Sequence, residues 1–387
     1  MVKLGDVCTI NPRLPKNANP EQEVTFLAMA AVSEKGEISS QETRILHETK
    51  KGFTYFERGD VLLAKITPCF ENGKATLTNN LNTQIGFGST EFHVLRAFPD
   101  LILPEFIFYL VWNERFRIAA AKEMTGSAGQ KRVSTDYLKE YKFYLPSIFE
   151  QEKIVAALNK GYSIHRKRQQ AIKLADDFLR AKFLEMFGTP ANNIHRFPTG
   201  KIRDLVDSVN YGTSAKASID SGEYPILRMG NITYQGGWDF TDLKYLDLSV
   251  KEKDKFLVKE GDLLFNRTNS KELVGKTAVY EENRPMAFAG YLIRVRPNPI
   301  GNNYYISGYL NSIHGKITLM NMCKSIVGMA NINAQELQNI EILIPPKHLQ
   351  DEYEIIYKKI KKGLSIYDKS AMQLQRLASN LSNEYFM

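Results

Sequence analysis

The feature that most constrains this 387-residue chain is that it reads twice. Phe56-Glu57-Arg58-Gly59-Asp60-Val61-Leu62-Leu63 returns as Val258-Lys259-Glu260-Gly261-Asp262-Leu263-Leu264-Phe265, about 200 residues later. Gly73-Lys74-Ala75 returns as Gly275-Lys276-Thr277, and Gly129-Gln130-Lys131-Arg132-Val133-Ser134 as Gly328-Met329-Ala330-Asn331-Ile332-Asn333. Leu138 matches Leu337, Leu145-Pro146 matches Ile344-Pro345, and Gln151-Glu152 matches Gln350-Asp351. One such match would mean nothing, but landmarks kept in order with small drift indicate two copies of one architecture. The period is far too long for a solenoid repeat, so the expected arrangement is a tandem duplication of a whole domain plus an appendage.

Each copy has the same internal order. Short alternating strands with Gly and Asn turns come first, such as 60–66 and Glu91–Arg96. Helical segments follow, including Pro104 to Lys122, where Phe106, Leu110 and Ile118 can share a face. A Gly/Ser/Asn-rich loop (125–134, 325–333), a short strand ending in proline and a long helix complete the copy. The spacing predicts an α/β chain of four parts: a globular domain at 1–149, a helix at 150–188, a second globular domain at 189–348 and a second helix at 349–387.

The first helix runs without proline to Gly188-Thr189-Pro190, an ordinary C-terminal stop. In the second, Ile360, Leu364, Tyr367, Ala371, Leu374, Ala378, Leu381 and Tyr385 are spaced by fours and threes, a narrow seam of the coiled-coil type. Leu158, Tyr162, His165, Ile172, Leu179, Phe183 and Met186 make a rougher seam on the first. Helices of this length reach roughly 55 Å, too far to bury a seam on one small domain. The economical expectation is that they pair as an antiparallel coiled coil, a spacer between two domains.

Composition narrows the class. Lys and Arg outnumber Asp and Glu by 51 to 43, a formal charge of +8, which is compatible with a polyanionic partner. Cys8, Cys69 and Cys323 lie far apart, with neither metal-ligand spacing nor a disulfide framework. The opening segment MVKLGDVCTI has no apolar run of signal-peptide length, and no stretch approaches the roughly 20 apolar residues of a membrane span. A soluble, cytoplasmic protein with no membrane partner is expected.

The order domain, helix, domain, helix resembles the specificity subunit of Type I restriction-modification systems. So do Gly59-Asp60-Val61-Leu62, the Gly126–Ser134 loop and the Leu145–Ile154 junction of domain and helix. The second copy keeps Ile344-Pro345-Pro346 but has Gln350-Asp351-Glu352 where the first has Glu150-Gln151-Glu152. The resemblance implies two target-recognition domains, each reading one half of a split, asymmetric sequence in double-stranded DNA. It implies helices that dock two copies of a methyltransferase subunit, which carries the S-adenosylmethionine and methylates adenine. A separate motor-nuclease subunit joins for restriction. The chain itself would hold no cofactor.

The residues agree with a non-catalytic role. There is no phosphate loop of the G-x-x-x-x-G-K-[ST] kind and no Asn/Asp-Pro-Pro-Tyr/Phe segment, since Pro345-Pro346 is followed by Lys347. Asp100 with Glu140 and Lys142 can be read as a nuclease site only by pairing groups distant in sequence, and the six histidines form no ligand cluster. Lys, Arg, Asn, Gln and Thr on Gly-rich loops are the groups that meet phosphates and base edges. Those at equivalent positions are Lys65, Thr67, Asn72 and Lys74 in the first copy and Asn266, Arg267, Asn269, Lys271 and Lys276 in the second. The later loop adds Gln130, Lys131 and Arg132, matched by Asn331. Arg228 to Thr233 is a further candidate reader, whereas Arg166-Lys167-Arg168 reads as a solvated or partner-facing stripe. Two alternatives remain open at this level: an autonomous site-specific nuclease, and a coiled-coil scaffold whose domains bind protein.

Overall fold

A computed structural model describes residues 1–386 apart from 128, 271, 327 and 328; side chains at 324–326 and 329, and at many positions between 366 and 384, lie outside the described ones. The chain divides into two compact units, and the division falls inside both long helices. One unit comprises 1–168 with 369–387, the other 169–368.

Each unit carries the same pair of four-stranded sheets. In the first, Cys8–Ile10, Phe92–Ala97, Val61–Ala64 and Ala75–Leu77 form an antiparallel sheet in that order. The other sheet is ordered Glu42–Ile45, Glu23–Leu27, Ile85–Gly88, Thr54–Glu57, with one parallel pairing at its centre. In the second unit Val206–Tyr211, Leu292–Pro297, Leu263–Asn266 and Thr277–Val279 repeat the antiparallel sheet. Lys244–Leu246, Tyr224–Leu227, Met286–Phe288 and Leu257–Val258 repeat the mixed one, parallel pair included.

The Gly-Asp landmark of the sequence is a structural device. Gly59 and Gly261 sit at φ of 96° and 87°, a region that favours glycine. Each lets the chain turn so that the following carboxylate is buried. Asp60 accepts the amide of Glu57 at 2.7 Å and a forked pair of bonds from Arg96 at 2.8 and 2.7 Å. Asp262 does the same with the amide of Lys259 and with Arg296, at 2.9, 2.8 and 3.1 Å. A buried carboxylate survives because a bidentate guanidinium and a backbone amide replace its water.

Helices Pro104–Trp112 and Glu114–Lys122 pack on the first antiparallel sheet, as Asn303–Asn311 and Ile313–Met322 do on the second. The run from Pro104 to Lys122 is thus two helices. Asn113 stops the first and caps the second, accepting from the amides of Arg115 and Phe116. Phe106 and Leu110 are buried, but Ile118, on the far side of that break, is exposed and does not share their face.

The long helices are Ile148–Phe187 and Lys347–Tyr385. A buried glutamine anchors the start of each. Gln151 donates to the carbonyls of Leu101 and Pro146 and accepts the amide of Leu103, at 2.9 to 3.0 Å. Gln350 donates to the carbonyls of Ile300 and Pro345 at 3.0 and 2.8 Å. These bonds give the repeated Pro-x-x-x-x-Gln junction its physical meaning.

Both helices contribute to each unit's core. In the second unit, Phe183 and Phe187 near the end of the first helix meet Tyr353 near the start of the other, with ring centroids 5.3 and 5.9 Å apart. One turn and more away, Asp176 pairs with Lys361 at 2.9 Å. Position falls on one helix as it rises on the other, so these segments run antiparallel. In the first unit, Ile154, Val155 and Leu158 share a core with Phe386, whose ring meets Phe106 at 5.0 Å. Of the expected seams, Leu158, Leu179, Phe183 and Leu364 are buried and Tyr367 is exposed. The side chains of Ala371, Leu374, Ala378 and Leu381 lie outside the described ones.

Because Phe386 fills a core made by residues far back in the chain, Phe386→Ala should destabilise the first unit by about 3 kcal/mol. Hydrogen exchange should then show lost protection at Phe106 and its neighbours with the second unit unaffected. Unchanged protection would mean the final turn contributes nothing there.

Candidate nucleic-acid interface

In both units, strand geometry brings together three positions distant in sequence. In the first, the amide of Lys65 donates to the carbonyl of Glu91 at 2.9 Å and the carbonyl of Lys65 accepts the amide of Val133 at 2.9 Å. In the second, the amide of Arg267 donates to the carbonyl of Tyr291 at 3.0 Å and its carbonyl accepts the amide of Ile332 at 2.9 Å. The two Gly-rich loops of each copy therefore lie side by side. In the first unit they join through isolated bridges, Ile66 to Arg132 and Thr125 to Arg132. In the second they form a small sheet of Thr268–Asn269, Met329–Asn331 and Lys324–Ile326.

The first unit's candidates divide by exposure and bonding. Thr67 ties the loops together, its hydroxyl donating to the carbonyl of Gly129 at 3.0 Å and accepting the amide of Lys131 at 3.1 Å. Gln130 and Lys131 are exposed, and Lys65 is half-buried. Arg132 makes a forked pair of bonds to Glu91 at 2.9 and 2.8 Å. The same guanidinium holds the Glu91 carboxyl below the usual carboxylate range. Asn72 and Lys74 stand apart from this group: Asn72 bonds Glu34 at 2.9 Å and the Lys74 ammonium reaches the carbonyl of Met29 at 3.4 Å.

In the second unit a cleft of about 1040 Å³ is lined by Arg228, Lys244, Arg267, Thr268, Tyr291 and Asn331, among others. The Arg267 guanidinium lies 4.9 Å from the centre of the Tyr211 ring. Arg228 is steered by Asp242, whose carboxylate and carbonyl accept from it at 2.8 and 3.0 Å. Asn231 is a buried brace, donating to the carbonyls of Asp239 and Asp242. Asn266 is fully buried and its side-chain oxygen receives the amide of Thr268, so it shapes the loop. The Asn269 side chain accepts the amide of Ser270. Lys271 lies outside the described residues.

Lys276 is buried, and burial pushes its ammonium pKa down. Near it Lys316, under Tyr234 at 5.0 Å, is pushed down to about 8 by burial and by the charges of Arg180 and Lys276. Lys276 is thus withdrawn from solvent, and the Lys316 Nζ atom is likewise covered. Sequence reasoning missed Glu91, Tyr291 and Lys244, because a polar residue in or beside a strand carries no signal of its own until the sheet places it. Of the nuclease-like set, Glu140 is engaged by Lys3 at 2.7 Å.

The sequence profile of the Type I restriction modification DNA specificity domain matches residues 1–174 and 196–380. The specificity subunit of the Type I restriction enzyme EcoAI from Escherichia coli is 31% identical over 268 residues, which are 67% of this chain and 45% of that protein. The chain thus spans less than half the length of that relative. Among solved structures, the S subunit of a Type I restriction-modification system from M. genitalium superposes with a TM-score of 0.62 at 13% identity, covering 100% of this chain and 95% of the other. A chain from a structure of an assembled type I R-M system gives 0.56 at 20%, covering 100% and 96%. The twice-matched profile and the duplicated sheets agree: the chain belongs to the Type I restriction-modification DNA specificity family. Among the described residues, no helix is long and apolar enough to cross a membrane.

The Lys316 site makes a pH-dependent stability effect. Its folded pKa lies below the ordinary lysine value of 10.5, so the unfolded chain binds more protons between about 8 and 10.5 and stability rises with pH in that window. Lys316→Met should therefore stabilise the second unit at pH 7 by about 2 kcal/mol, as followed by thermal unfolding. The advantage should shrink as pH climbs from 8 toward 10.5, and a pH-independent difference would contradict the assignment.

Proposed function

We propose that this chain is the DNA-reading subunit of a Type I restriction-modification assembly and that it catalyses nothing itself. Each unit reads one half of a split, asymmetric sequence in duplex DNA. The observation that carries this reading is the contrast within the repeat. Two scaffolds share strand order, buried Asp-Arg pairs and glutamine junctions, while the loops they bring together carry Lys65, Glu91 and Arg132 in one and Arg267, Tyr291 and Asn331 in the other. Scaffold kept and loop chemistry changed is what two different half-sites require.

The long helices serve as an antiparallel spacer and as the docking surface for two methyltransferase subunits. Those subunits hold the S-adenosylmethionine; a motor-nuclease subunit joins where the system restricts as well as modifies. The assembly works in the cytoplasm, where the DNA is. The name of the EcoAI relative, a specificity subunit, supports the same reading.

The test is methylation sequencing of the host genome with the gene intact and deleted, its neighbours expressed in both. A split motif of methylated adenines should disappear on deletion. An unchanged methylation pattern would contradict the proposal.

A further inference from the structure

Resting on that DNA-reading role, we infer that Lys65, Glu91 and Arg132 form the specificity-determining set of the first unit, in which Glu91 is a positioning residue that presents Arg132 to a guanine. The equivalent set in the second unit is Arg267, Tyr291 and Asn331. The backbone bonds that bring the three positions together are the same in both units, so side chains vary there on a constant frame.

The Glu91–Arg132 pair is the informative one. Glu91 occupies the Nε and Nη2 edge of the guanidinium at 2.9 and 2.8 Å. A guanidinium has a second, terminal edge, made by Nη1 and the remaining hydrogen of Nη2. Its contact in the chain is a long one, Nη1 to the carbonyl of Gln130 at 3.4 Å. The Arg132 side chain is 41% exposed, so that edge is reachable. Two parallel donors match the O6 and N7 acceptors of guanine in the major groove. The carboxylate fixes the plane of the guanidinium beforehand, which lowers the rotamer entropy lost on binding.

A mere tie between loop and sheet does not account for the pair. Backbone bonds already hold that loop: Arg132 and Thr125 exchange amide-to-carbonyl bonds at 2.8 and 3.1 Å, Thr67 donates to the carbonyl of Lys131 at 3.0 Å, and Val133 bonds Lys65. The second unit keeps its loops together with Tyr291 and Asn331 at the same positions, where no ion pair can form.

The experiment uses the chain assembled with its methylation partners and a randomised duplex library, bound fractions being sequenced for wild type, R132A, E91Q and the swapped double variant E91R/R132E. Wild type should select guanine at one position of the first half-site. R132A should lose that preference, by about tenfold or more, and E91Q should weaken it, with the second half-site read as before. The swapped pair keeps an ion pair and should still lose the guanine. Recovery of the wild-type motif by the swapped pair would reduce the contact to a structural tie and overturn the inference. So would a uniform loss of affinity on all sequences in R132A, which marks a phosphate contact, or an unchanged motif. A wild-type assembly with no sequence preference would instead overturn the DNA-reading role itself.

Discussion

A 40-residue helix is about 60 Å long, and no domain of this size can bury one face of it from end to end. That constraint organises the chain. Each long helix is anchored at its start by a buried glutamine under its own domain, and its far half belongs to the other compact unit. Each core is completed accordingly by residues of both helices and the turn that follows: Leu158 with Tyr385 and Phe386 in one, Phe183 and Tyr353 in the other. Neither half of the repeat is then closed without the other.

Within each unit, the expensive feature is a buried carboxylate, Asp60 or Asp262, made tolerable by a forked arginine. The pair closes the turn that feeds the central strand of the antiparallel sheet. That strand ends at Ala64 or Asn266, immediately before Lys65 or Arg267. Placement of the candidate reading residues is thus a direct consequence of how the charge is buried. The loop tips themselves bear little of the fold, which leaves their side chains free to differ between copies.

The duplication, the α/β class and the long helices were legible in the sequence because the repeated residues are those the fold uses. Gly59 and Gly261 take backbone angles that favour glycine, and Gln151 and Gln350 bond the carbonyls of the loop ahead of helices Pro104–Trp112 and Asn303–Asn311 and of a proline before each long helix. Arg96 and Arg296 were not recognised as partners of those aspartates, since pairing across more than 30 residues has no period to betray it. The same holds for Glu91 with Arg132. Ile118 was assigned to the face of Phe106 because a 3.6-residue period extrapolates through Asn113, where the helix actually breaks. Lys276 looked like a loop-tip cation, but the hairpin turns it inward.

Under the proposed function, two reading surfaces on one chain are useful only if their separation is held. The direct measurement is binding of the assembly to duplexes carrying both half-sites with the gap between them lengthened one base pair at a time. A paired-helix spacer predicts a single preferred gap, with affinity collapsing toward the non-specific level one base pair to either side. Equal affinity over a range of gaps would show two readers on a flexible tether and would contradict the spacer.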